Sequence, residues 1–151
     1  MIYQLTFSAY AYTSINKDNL KKNILMDFEL EYYERSDLYV ISFMHPCNLS
    51  YGDYYHSEYE PWYVKMVEQY GDYLKEIGFS DFEILINIFS IKDENNEFPQ
   101  CNFEIFNSTL LTKISHYSVA LPISIYAISI EEAMDFLKMS KNEIELEFFY
   151  L

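Results

Sequence analysis

With 151 residues and 18.1 kDa, the chain has room for one domain, residues 1–151, because a domain occupies roughly 150 residues. Half of the residues are hydrophobic and 19% are aromatic, which excludes a disordered chain, and no run approaches the ~18 to 20 apolar residues of a membrane span. Twenty-four acids against 10 bases give a net charge of -14, which disfavours nucleic acid and an anionic membrane surface as direct ligands.

Tyr3, Leu5, Phe7, Ala9 and Ala11 alternate with Gln4, Thr6, Ser8, Tyr10 and Tyr12, so a half-buried strand opens the chain. Ser14 or Asn16 then caps a short helix to about Met26, with Leu20, Ile24 and Leu25 facing inward. Phe28, Leu30 and Tyr32 alternate with Glu29, Glu31 and Tyr33 as a second strand. Residues 38–44 are apolar on both faces and read as an interior strand. Pro46 stops that strand, and a polar, aromatic loop runs to about Glu60. Pro61 suits the first turn of a helix in which Trp62, Met66, Tyr70, Leu74 and Ile77 recur at three- and four-residue steps. Gly71 weakens this helix by up to ~1 kcal/mol relative to Ala, and Gly78 ends it in a left-handed cap.

A long β-branched strand follows over 82–91, then a polar turn over 92–97 and a strand over 101–106. Asn107 or Ser108 caps a helix carrying Leu110, Leu111 and Ile114. Residues 121–128 form a strand with Pro122 at its start or on an edge. Ser129 and Glu132 make a capping box ahead of Ala133, Met134, Phe136 and Leu137. Ile144, Leu146, Phe148 and Tyr150 alternate with Glu143, Glu145 and Glu147, which predicts a last strand at a sheet edge. The expected fold is α+β: a single domain with a mixed, mainly antiparallel sheet of about seven strands, about four helices, and hairpins at 28–44 and 82–106. Each half runs strand, helix, strand, strand, which suggests duplication without a residue-level repeat.

The N-terminus has no basic segment ahead of its apolar stretch, so a cytoplasmic chain of a bacterium or phage is expected. Cys47 and Cys101 then read as two reduced core thiols. The glycosylation patterns at Asn48 and Asn107 carry no weight without export.

Charge is uneven along the chain. Residues 1–26 carry Lys17, Lys21 and Lys22 against Asp18, a net of +2. Residues 50–104 hold twelve acids against Lys65, Lys75 and Lys92, a net of -9, so a basic partner is attracted to the middle. The segment from Asn48 to Trp62 combines Tyr51, Tyr54, Tyr55, Tyr59 and Trp62 with Asp53, Glu58 and Glu60. Tyr and Trp anchor interfaces because they bury large area at low rotamer cost, and interleaved carboxylates suit Lys and Arg on a partner. In the helix beyond, Glu68, Asp72 and Glu76 recur every four residues as one like-charged stripe. Such pairs cost a few tenths of a kcal/mol each, which Lys65 and Lys75 are placed to relieve in part. The expected partner-binding set is therefore Tyr51, Asp53, Tyr54, Tyr55, Glu58, Tyr59, Glu60, Glu68, Asp72 and Glu76.

Other uses of these residues are weaker. His45, Cys47, Asp53, His56, Glu58 and Glu60 are metal-ligand types within sixteen residues, but none shares a recognised ligand spacing. Catalysis by Cys47 with a histidine lacks an elbow motif and an oxyanion loop, and His116 reads as structural. The three glycines are isolated, so there is no phosphate-cradling loop. No cofactor, no metal and no catalytic residue is expected.

In type, the chain resembles the small acidic immunity proteins that bacteria make against toxins: short, acidic, rich in aromatics and without a catalytic motif. Residues 82–128, from FEILINIFSIK to LPISIYAI, are similar to an uncharacterised bacterial α+β family closed by a strand, strand, helix, strand unit. The resemblance implies neutralisation of a cognate toxin, such as a nuclease with a basic active site, by direct binding. A phage-encoded inhibitor that mimics nucleic acid would show the same charge pattern, and a small metal-dependent enzyme is the reading from a different class.

Overall fold

The opening alternation produces β1 (Ile2–Ala11), which lies at the centre of the sheet. The structure, a computed structural model, describes residues 2–51 (the side chain of Tyr51 excepted), 59–93, 95, 97 and 105–149. Around β1 run β2 (Glu29–Tyr33), β3 (Leu38–Phe43), β4 (Ser50–Tyr51), β5 (Asp81–Ile91) and β6 (Ile123–Ile128). The order is β2-β3-β1-β5-β6, with β4 pairing with β1 off this path. Every pairing is antiparallel except β5 with β6. The helices are α1 (Lys17–Asn23), α2 (Tyr59–Glu76), α3 (Ser108–Ile114), α4 (Ile130–Leu137) and α5 (Lys141–Phe148), with a 3-10 turn at Ser115–Tyr117. The expected α+β fold with a mixed, mainly antiparallel sheet is therefore what forms.

Because strand side chains alternate, β1 feeds two cores. Tyr3, Leu5, Phe7, Ala9 and Ala11 meet Tyr63, Val67, Tyr70 and Leu74 of α2 in the larger cluster. Ile2, on the other face, joins Ile91 of β5, Ile130 and Ala133 of α4 and Ile144 of α5 in a smaller one. α2 ends as expected at Gly78, whose φ is +110°. Its N–H donates to the Lys75 carbonyl and that of Phe79 to the Leu74 carbonyl, the paired bonds of a Schellman cap.

Four expectations need correction. Residues 144–148 are helical, because Ser140 and Glu143 form a second capping box and Lys141 reaches Glu145 one turn on at 3.4 Å. Leu25 is exposed, since α1 stops at Asn23 and only Leu20 and Ile24 turn into the core. The hairpin expected over 82–106 is replaced by pairing of β5 with β1 on one side and with β6, in parallel, on the other. Of the strand expected over 101–106, residues 101–104 lie outside the described residues, and Ile105 and Phe106 form a bend. Among the described residues there are six strands and five α-helices, against about seven and about four expected.

Candidate binding surface

The start of α2 repairs a break in the sheet. β3 pairs with β1 up to Phe7↔Phe43, and β4 resumes the pairing at Tyr3↔Ser50. Four steps along β1 (7 to 3) face seven along the opposing segment (43 to 50), so three residues are looped out. Leu5 is left without a strand opposite it on that side. Two tyrosines one helical turn apart take the vacant place. Tyr59 accepts the Leu5 N–H at 3.0 Å and donates to the Asn48 carbonyl at 3.1 Å. Tyr63 donates to the Leu5 carbonyl and accepts the His45 N–H at 2.9 Å. His45 packs edge-on between Tyr59 and Trp62, each 5.2 Å away, and its Nδ1 accepts the Cys47 N–H. Cys47 itself, expected in the core, is exposed in the loop after β3, and Cys101 lies outside the described residues.

This arrangement divides the expected set. Tyr59 and Glu60, expected on the partner-facing loop, are fully buried as the first two residues of α2. Tyr59 is there to satisfy buried backbone, and Glu60 Oε1 accepts from Tyr3 at 2.6 Å. The Oε2 of Glu60 and the Oγ of Ser50 are buried without a hydrogen-bond partner among the described residues. Tyr51 pairs with Ile2 through its backbone in β4. Asp53, Tyr54, Tyr55 and Glu58 lie outside the described residues.

Glu68, Asp72 and Glu76 are all exposed on α2. Lys75, expected to relieve them, makes no ion pair with them among the described residues; its Nζ lies 5.0 Å from the centre of the Tyr117 ring and 5.7 Å from that of Phe82. Tyr117 is the residue that sequence reasoning missed. Its ring stacks on Phe82 at 6.4 Å and lies against Gly71, where a Cβ would approach Cε1 to 2.5 Å. Gly71 is thus the opening that lets the 3-10 turn dock on α2. Burial pushes the Tyr117 phenol up, and the charges of Asp72 and Glu68 add to the rise. The acidic stripe therefore lies beside the one tyrosine of the turn.

A smaller acidic spot lies on the other sheet face, at the far end of β1. Tyr10 donates to Glu83, beside Asp81 and Ser118, in a cleft of about 210 Å³. Burial and then the Glu83 bond raise the Tyr10 phenol. Among the described residues, no three of His, Cys, Asp and Glu converge as a metal site, and no helix is long and apolar enough to cross a membrane. Comparison with family models, with curated proteins and with solved structures finds no match.

Proposed function

We propose that the protein is a non-catalytic acidic binding protein, an immunity protein that neutralises a bacterial toxin by direct binding, with a nuclease as the best-suited target. The observation that carries this reading is the exposed row Glu68, Asp72 and Glu76, which no described lysine pairs with. A stripe that costs a little helix stability and holds no ion pair among the described residues fits a surface kept for Lys and Arg of a partner. Asp53, Tyr54, Tyr55 and Glu58 belong to the proposed surface on sequence grounds. A nuclease suits it because its active site must be basic to hold phosphates, and carboxylates docked there would block the substrate's path.

The test is co-purification of the tagged full chain with the product of the gene beside its own, followed by assay of that product. The reading expects a stoichiometric complex in which the toxic activity is silenced. A neighbouring product that neither binds nor loses activity would overturn it.

A further inference from the structure

We draw no further inference here: the strongest candidate, the groove of about 550 Å³ between α1 and the start of β2, is lined by charges of both signs (Lys17 and Lys21, Asp27 and Glu29) beside the exposed Leu25, and nothing in the structure shows what covers it.

Discussion

Tyr63 shows how a residue type common at interfaces is used inside this molecule. Its hydroxyl bonds the Leu5 carbonyl and the His45 N–H at a place where the sheet is interrupted. Tyr63→Phe keeps the ring and strands both groups, so a loss of about 1 to 3 kcal/mol is expected in denaturant unfolding. Gly71→Ala should also destabilise, against helix propensity, because the new methyl collides with a Tyr117 ring held by Phe82 and Lys75. Overpacking of this kind costs about 1 to 3 kcal/mol. A double-mutant cycle with Tyr117→Ala should recover most of the loss if the collision is the cause. The tyrosines also set a pH response. Burial is the largest cause that holds the phenols of Tyr63, Tyr59 and Tyr117 above their usual value of about 10. An unfolded chain releases these protons near pH 10 while the folded one keeps them, so stability is complete below about pH 10 and falls as pH rises beyond it. Unfolding midpoints between about pH 8 and about pH 11 should show the fall, and Tyr63→Phe should make it shallower.

At the level of elements, the reading from sequence succeeded where one signal dominated. Period-two patterns located β1 and β2, a run apolar on both faces located β3, the apolar repeat located α2, and the Ser129–Glu132 box located α4. It failed where two signals compete. Residues 143–150 alternate like a strand, yet the chain satisfies the box at Ser140 and Glu143 and turns Ile144 into the smaller core as a helix. The pairing of β5 with β6, far apart in sequence, left no local trace. The candidate surface was legible in the same partial way. The spacing of Glu68, Asp72 and Glu76 put them on one exposed face, but nothing local to Tyr59 and Glu60 announces that they are core, and nothing near Tyr117 ties it to Gly71. If the second box holds α5, Ser140→Ala should cost about 1 kcal/mol. Amide exchange should then quicken in α5 while β1 and β5 keep their protection.

For the whole molecule, charge is spread unevenly over the surface. Acids are exposed on α2 and β2, while β6 carries no charged residue. The central claim is that the α2 stripe steers a basic partner. The most direct test is the association rate of the co-purified partner, over a salt series, with the wild-type chain and with the triple variant Glu68→Gln, Asp72→Asn, Glu76→Gln. The account predicts that the variant associates at least about tenfold more slowly at low salt and with a flatter salt dependence. Its unfolding midpoint should be unchanged or slightly raised, because like charges have been removed from one helix face. A variant that associates at the wild-type rate, with the wild-type salt dependence, would contradict it.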